Sequence, residues 1–426
     1  MALSNLCFGV ELELLLSPRN IPEHTEFRKT LLANGWKDHQ TSAPTRSFGA
    51  RETNRIALRQ AIVERLQAEA GIPAQTQDDF NRYDAWTVSG EALDEPSSYW
   101  GAEITSRILT TDEDWQAELG KVFGILSKYC RILLTWDCSM HVHVSPDRLR
   151  SFSDAELQGL CKGLCYLDEA TTAALPGERK ENHWAPRNLK VQGDGIFFQD
   201  LKVIQKTYED VPTGSWGPLF RLLDTIQAVD VCKTIQHNNK AAGWNFLNIC
   251  TSDGHGTVEF RRPPGADSAR KAIHWTAIVL GLFSESLAFD WSSGGFDDKF
   301  SQPGVEDLRK FVASGLQKLG SNCEGALVEE WVVEDHSVAM SDDEKEAVID
   351  KWIDENNRLE QEWLAQGFKL EDPWAVWSND DERSSDGGSD SGWSTNEDGD
   401  VDMTWEEHSN DWDNCSPVGC SPSPKW

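Results

Sequence analysis

An α+β fold is what the sequence predicts, from three observations. Runs with a two-residue polar period lie far apart in the chain: Phe8-Gly9-Val10-Glu11-Leu12-Glu13-Leu14, Met140-His141-Val142-His143-Val144 and Thr257-Val258-Glu259-Phe260-Arg261. Stretches with helical spacing of apolar residues separate them. A hairpin-like pair, Ala242 to Ile249 and Thr257 to Arg261, flanks the turn-rich Ser252-Asp253-Gly254-His255-Gly256. In a strand, successive side chains point to opposite faces. Each run therefore has one oily side for a core and one side carrying Glu, His or Arg. Ordinary half-exposed strands carry Thr, Lys or Ser there, so three such runs need a reason.

The remaining elements follow in order. Arg51 to Ala70 reads as a helix, with Ile56, Leu58, Ile62, Val63 and Leu66 at approximate helical spacing, stopped by Gly71-Ile72-Pro73. Ala85 to Gly90 and Ala102 to Leu109 read as strands around a loop rich in Pro, Ser and Asp. Thr111-Asp112 caps a helix running to about Tyr129. Ser153-Asp154-Ala155-Glu156 forms a capping box for a helix ending near Leu175-Pro176-Gly177. Residues 178–217 read as irregular, as a substrate or lid loop would be. Asp267-Ser268 caps a long apolar helix to about Phe289, and helical stretches near 304–319 and 341–364 follow.

Length and composition bound the function. The chain has 426 residues and 19 Trp, enough for a sizeable core. A formal net charge of -31 disfavours nucleic-acid binding as the main activity. Met1 to Arg19 lacks a basic start and carries Glu11 and Glu13, unlike a signal peptide. No apolar run is long enough to span a membrane. The 10 Cys have no paired Cys-x-x-Cys spacing and read as reduced, mostly buried thiols of an intracellular, cytoplasmic protein. Residues 380–426 hold 13 Asp+Glu against 2 Lys+Arg, with isolated Trp393, Trp405, Trp412 and Trp426. Such a tail cannot offset its ordering entropy and reads as disordered. It is a solubilising segment, with a protein partner for its Trp residues as the alternative.

The polar faces suit a hard divalent cation, which prefers oxygen ligands. Glu11 and Glu13 lie roughly 6–7 Å apart along a strand, a separation that suits two neighbouring metal sites. Glu103 repeats the arrangement on a further strand, facing the same way as Thr105 and Arg107. His141 adds a nitrogen ligand and Glu259 a carboxylate. Arg261 supplies a planar cationic fork for phosphate. Carboxylates for metal beside arginine for phosphate imply phosphoryl transfer more than hydrolysis at a single zinc.

The run Cys138-Ser139-Met140-His141-Val142-His143-Val144-Ser145 resembles a strand motif of glutamine synthetases. The whole set is closer to the amidoligase family of the glutamine synthetase/glutamate–cysteine ligase (carboxylate–amine ligase) superfamily. The matching segments are Gly9-Val10-Glu11-Leu12-Glu13, Trp86-Thr87-Val88, Glu103-Ile104-Thr105-Ser106, the His-x-His strand, and Asn245 to Asn248 with Glu259-Phe260-Arg261. They occur in the family's order over about residues 8 to 290. Three positions depart from the pattern: Ser106-Arg107 stands where Ser-Pro is common, Ser139 where Gly is common, and Glu91 where Asp is usual.

The resemblance implies a curved, mainly antiparallel sheet of glutamine-synthetase type, helices on its outer face and the site on its concave side. It implies an amidoligase-like catalytic domain over 1–300; outside the resemblance, the residues read as a helical extension over 301–370 and a disordered acidic tail over 371–426. The implied reaction is ATP-dependent amide or isopeptide formation through an acyl phosphate, from a small-molecule or peptide carboxylate and an amine. ATP and Mg²⁺ (or Mn²⁺) would be required. Glu11, Glu13, Glu103, His141 and Glu259 would hold metal. Arg261 would contact the transferring phosphate and His143 the substrate or acyl phosphate, with Asn248, Arg262 and Arg107 as further substrate or nucleotide contacts.

Each motif alone has an ordinary reading. Glu11 and Glu13 would protect an exposed edge strand, the histidines would be hydrogen-bonded structural groups, and Glu259 with Arg261 would be a surface ion pair. The combination in order favours an equipped site. Two other functions compete: a metal-dependent hydrolase using His141-x-His143, and a non-catalytic scaffold with a partner-binding tail.

Overall fold

The computed structural model describes residues 5–328 and 331, except 20–23, 38–47, 77–82, 92, 94–98, 149, 181, 183, 191–198, 237–240, 251–253, 294 and 298–299. The strands are β1 (Cys7–Pro18), β2 (Ala74–Gln75), β3 (Trp86–Ser89), β4 (Trp100–Thr105), β5 (Leu109–Thr110), β6 (Cys130–Leu133), β7 (Met140–Ser145), β8 (Trp244–Asn245) and β9 (Val258–Phe260). The α-helices are α1 (Thr25–Ala33), α2 (Phe48–Arg65), α3 (Trp115–Tyr129), α4 (Asp154–Tyr166), α5 (Asp168–Ala173), α6 (Gly177–Lys180), α7 (Gln199–Asp210), α8 (Gly217–Leu223), α9 (Leu247–Cys250), α10 (Ala269–Ala288) and α11 (Val305–Leu319).

All nine strands join one sheet in the order β2-β3-β4-β1-β7-β9-β8, with β5 and β6 pairing β1 off that path. β1 is the hub. Leu15 pairs both Gly101 of β4 and Leu133 of β6, and Cys7 pairs both Thr110 of β5 and Ser145 of β7. One edge of β1 is therefore filled by β4 and β5, the other by β7 and β6. Every pairing is antiparallel except β2 with β3.

The mixed α+β character expected from the sequence is present, but the curved glutamine-synthetase-type sheet is not. The sheet is open and neither curves round nor closes. Its order ends at β2 and β8, each two residues long, and among the described residues no ladder joins them. The partners of β1 are distributed along its length rather than added as successive wrapping strands.

The two-residue alternation fixes the layers. Phe8, Val10, Leu12 and Leu14 of β1, Met140, Val142 and Val144 of β7, and Val258 and Phe260 of β9 are buried in the core. Burying each contributes roughly 1.5–3 kcal/mol. A one-residue slip of β1 would expose its apolar set and bury its glutamates, so the register is strongly specified. On the core side, α10 packs against β7, α3, α4 and α11. Among the described residues no helix is long and apolar enough to cross a membrane.

Several local expectations are revised. Ser153 forms the expected capping box with Glu156. The cap of α3, however, is Asp114, whose side chain accepts from the Ala117 amide at 3.2 Å. Ser268 begins α10 without a side-chain cap bond. The segment read as irregular contains α6 and α7. The strand expected to run from 242 to 249 stops at Asn245, and Asn248 sits in α9. Cys7, Cys130, Cys138, Cys161, Cys165 and Cys323 are free and buried, as expected, but Cys250 is disulfide-bonded. The stretch near 341–364 and the acidic tail from 371 lie outside the described residues.

The α10–α11 contact is close enough to require glycine. A Cβ at Gly315 would fall on the Gly281 carbonyl and against the Glu285 amide, both backbone atoms that cannot step aside. Gly124, on the exposed side of α3, has open space instead. Gly315→Ala is therefore expected to cost roughly 1–3 kcal/mol. Gly124→Ala is expected to be neutral or to add up to about 1 kcal/mol, because glycine is a poor helix former. Urea unfolding of both variants checks the contrast.

Candidate metal centre

Strand register assembles the polar face into three rows. Ser89, Glu103 and Glu13 are aligned across β3, β4 and β1. Thr87, Thr105, Glu11 and His141 are aligned across β3, β4, β1 and β7. Gly9, His143, Glu259 and Asn245 are aligned across β1, β7, β9 and β8. Residues separated by up to 250 positions thus meet on one surface because each strand offers its polar side there.

Two groups of ligand atoms result, each within 4.8 Å: Glu11, His143 and Glu259, and Glu13, Glu91 and Glu103. Either could hold a divalent metal ion. In the first, His143 Nε2 is 3.0 Å from Glu11 Oε1 and 3.8 Å from Glu259 Oε1. That nitrogen is buried and makes no hydrogen bond of proper geometry, despite its short approach to Glu11. Its other nitrogen, Nδ1, is 3.4 Å from Thr257 Oγ1. A ring nitrogen aimed at two carboxylates, once deprotonated, would complete a three-ligand set with Glu11 and Glu259. The second group is all carboxylate, the donor set that Mg²⁺ and Mn²⁺ prefer.

His141 lies between the groups. Its Nδ1 is 3.0 Å from Glu11 Oε2 and 3.3 Å from Glu259 Oε1, while its Nε2 is 3.0 Å from Ser139 Oγ and 3.6 Å from Glu13 Oε1. Ser139 in turn donates to Glu13 Oε2. Ser139 thus ties Glu13 to His141. Of the two histidines, His143 is the one placed in a three-ligand group.

The other expected site residues divide sharply. Arg261 Nη1 donates to Glu259 Oε1 at 2.5 Å, and among the described residues its Nε–H has no hydrogen-bond partner. Asn245 Nδ2 donates to Glu259 Oε2 at 2.7 Å, orienting that carboxylate. Asn248 Nδ2 donates to Thr257 Oγ1 at 3.3 Å, one bond away from His143. Arg262 is turned into the interior instead. It is 1% exposed and donates to Thr172 Oγ1 at 2.8 Å and to the Lys180 carbonyl at 3.0 Å, a structural role. Arg107 is held by Glu113 at 2.7 Å and Glu118 at 2.6 Å.

Residue-type reasoning missed Glu91 and Arg179 as parts of the site. Glu91 continues the alternation of Thr87 and Ser89 one step past the end of β3, a readable signal. Arg179 comes from α6 and donates to the carbonyls of Arg262 at 3.1 Å and Arg261 at 2.8 Å, with no local pattern to announce it.

Charge is unevenly balanced across these groups. Burial pushes the Glu11 carboxyl up, but the charge of His143, the hydrogen bond with His141 and the close approach of His143 hold it well below the usual range. Glu259 shows the same balance, with burial outweighed by His143, His141 and Arg261. His143 is disfavoured as a cation by burial, yet Glu11 and Glu259 raise it to about 9. Glu103 has no such cation: burial and the charge of Glu11 push it up to about 8, against a hydrogen bond from Thr105.

Two pockets flank the rows. One, of about 220 Å³, is walled by Phe8, Val10, Ile108 and Tyr83 and reaches Glu11 and His143. The other, of about 280 Å³, is lined by Glu13, Glu91, Trp136, Asp137, Arg179 and Arg261 among others. No family model matches the chain, and no curated protein matches it.

The pH behaviour follows from the two raised groups. His143 titrates in the folded protein at about 9, above its ordinary 6.5, so its stabilisation is complete below 6.5 and is lost as pH rises through 9. Glu103, at about 8 against 4.5, likewise favours the folded state at low pH and loses that contribution as pH rises through 8. A cation must displace these protons, so binding strengthens with pH. Without divalent ions, the stability contributed by these two groups is expected to fall from about pH 4.5, where Glu103 begins to lose its share, to about pH 9, where His143 has lost its own. The upshift produced by added Mg²⁺ is expected to grow over the same interval, as differential scanning fluorimetry at several pH values would show.

Proposed function

We propose that the protein is an ATP-dependent carboxylate–amine ligase working at a divalent-metal site. The observation that carries this reading is the pairing of two carboxylate-rich ligand groups on one sheet face with the Nε–H of Arg261 beside them, partnerless among the described residues. A single-metal hydrolase would leave the Glu13, Glu91 and Glu103 group and Arg261 without a task. Flanking pockets of opposite character further support a reaction with chemically different substrates.

In this reading the apolar pocket takes the nucleotide base and the mixed-charge pocket takes the acid and amine. A carboxylate oxygen attacks the γ-phosphorus of ATP, and the bond to the leaving ADP oxygen breaks. The amine nitrogen then attacks the acyl carbon, the bond to phosphate oxygen breaks, and the nitrogen loses its proton. A bound divalent cation supplies charge neutralisation at the phosphate oxygens. Glu11, Glu259 and His143 would hold one ion, and Glu13, Glu91 and Glu103 another. Arg261 offers its Nε–H to a phosphoryl oxygen, charge that preorganised donors stabilise best. Asn245 fixes Glu259, and Thr257 fixes the ring of His143. His141 and Ser139 keep the carboxylates of Glu11 and Glu13 apart and oriented.

The test is phosphate release from Mg²⁺-ATP with pools of carboxylates and amines. Release needing both substrates is expected, reduced at least about a hundredfold by Glu11→Gln or Glu13→Gln. Arg261→Ala is expected to reduce turnover and to lower stability as well, since the buried Glu259 carboxylate loses a partner. Arg262→Ala is expected to lower stability, by about 3–5 kcal/mol for a buried charged network that loses a partner. Amide hydrolysis without nucleotide would replace this reading with the hydrolase, and absence of nucleotide binding would end it.

A further inference from the structure

We infer that Arg179 is a positioning residue: it grips the main chain at Arg261 and Arg262 and so holds the Arg261 guanidinium at the carboxylate face. The inference rests on the ligase reading for what Arg261 does there, and on geometry alone for the grip.

Arg261 needs an anchor. Its Nε–H is buried and, among the described residues, has no hydrogen-bond partner. A long side chain left to itself would turn until such a donor was paired, because an unpaired buried donor is costly. Glu259 holds the head of the side chain, accepting from Nη1 at 2.5 Å. The root lies just past the end of β9 at Phe260, outside the sheet ladder. There a single guanidinium spans two successive peptides. Arg179 Nη2 donates to the Arg261 carbonyl at 2.8 Å, and its Nε donates to the Arg262 carbonyl at 3.1 Å. A planar fork with fixed donor directions leaves the peptide between those carbonyls little freedom to turn.

The grip is returned. Arg262 Nη2 donates to the carbonyl of Lys180, the residue after Arg179 in α6, at 3.0 Å. Gly243 closes the assembly. Its amide donates to the Pro186 carbonyl at 2.7 Å, its carbonyl accepts from the Arg261 amide at 2.9 Å, and a Cβ there would lie 2.6 Å from Arg262 Cδ. A buried arginine with a structural task alone is normally ion-paired. Arg179 is 2% exposed, and among the described residues no carboxylate pairs with it. Burial pulls its guanidinium down to about 10, so it is still a cation at neutral pH. That unpaired charge sits in the wall of the pocket shared by Arg261, Glu13 and Glu91, not in the remote core. Groups that meet reacting atoms need such rigid support, since a misplacement of about 1 Å costs about a hundredfold in rate.

The test is nuclear magnetic resonance of the full chain labelled with ¹⁵Nε-arginine, reading exchange of the Arg261 Nε–H with water. That signal is identified by its loss in Arg261→Lys. Arg187 is the internal reference, because its buried Nε–H donates to Asp168 at 2.7 Å outside this pocket. Arg179→Gln is expected to speed Arg261 exchange at least about tenfold while Arg187 keeps its wild-type rate. Arg179→Lys keeps the charge without the fork and is expected to fall between; it carries the comparison if Arg179→Gln does not fold. Mg²⁺-ATP affinity, by calorimetry, is expected to drop about tenfold in Arg179→Gln, with no further drop when Arg261→Ala is already present, because groups acting as a unit are not additive. Wild-type Arg261 exchange in the variants, joint loss of the Arg261 and Arg187 signals in both, or additive losses of affinity would overturn the inference. Wild-type protein with no affinity for Mg²⁺-ATP removes the ligase reading, and the exchange rates then decide the grip alone.

Discussion

Register in β1 cannot shift by one residue without exchanging the core for the site, and both depend on that constraint. Phe8, Val10, Leu12 and Leu14 point into the core while Glu11 and Glu13 point the other way. Because β1 has partners along both edges, its alternation is imposed on β4 and β7 and, through β7, on β9. The apolar side chains specify where the carboxylates go. Burial worth roughly 1.5–3 kcal/mol per side chain holds groups together that would otherwise repel.

That repulsion is only partly relieved within the chain. His143 and Arg261 compensate Glu11 and Glu259, whose carboxyls stay low. No cation approaches Glu103 as closely, and its carboxyl is pushed up to about 8. Preformed sites commonly store this kind of electrostatic cost, and a bound cation removes it. Among the described residues, the Nε–H of Arg261 lacks a hydrogen-bond partner, which points to the same conclusion, since buried polar atoms are rarely left unpaired.

Much of this was legible in the sequence. Glu11, Glu13, Glu103, His141, His143, Glu259 and Arg261 all stand on alternate positions of strand-like runs, and a two-residue period is enough to assign them to one face. The division of labour between the histidines was not legible. It depends on which row each occupies, and register across separate strands cannot be read from either strand alone. Arg262, expected as a further substrate or nucleotide contact, is instead buried and bonded to Thr172 and the Lys180 carbonyl, which lie far from it in the chain. Arg179 carries no signal, because a short helix brings it in from outside the sheet. The shape of the sheet was not legible either. It depends on how many partners β1 gathers along its length, and the resemblance to glutamine synthetases suggested a curvature that the strand order does not have.

The central claim is that the polar face of β1 and its neighbours is a divalent-cation centre. Titration of the metal-free protein with Mn²⁺, followed by electron paramagnetic resonance, tests it most directly. The structure leads us to expect tightly bound Mn²⁺ in two positions, matching the two ligand groups, with magnetic coupling between them. Glu11→Gln should abolish one position and Glu13→Gln the other. Free, uncoupled Mn²⁺ at every ratio, or bound Mn²⁺ untouched by both substitutions, would contradict the account.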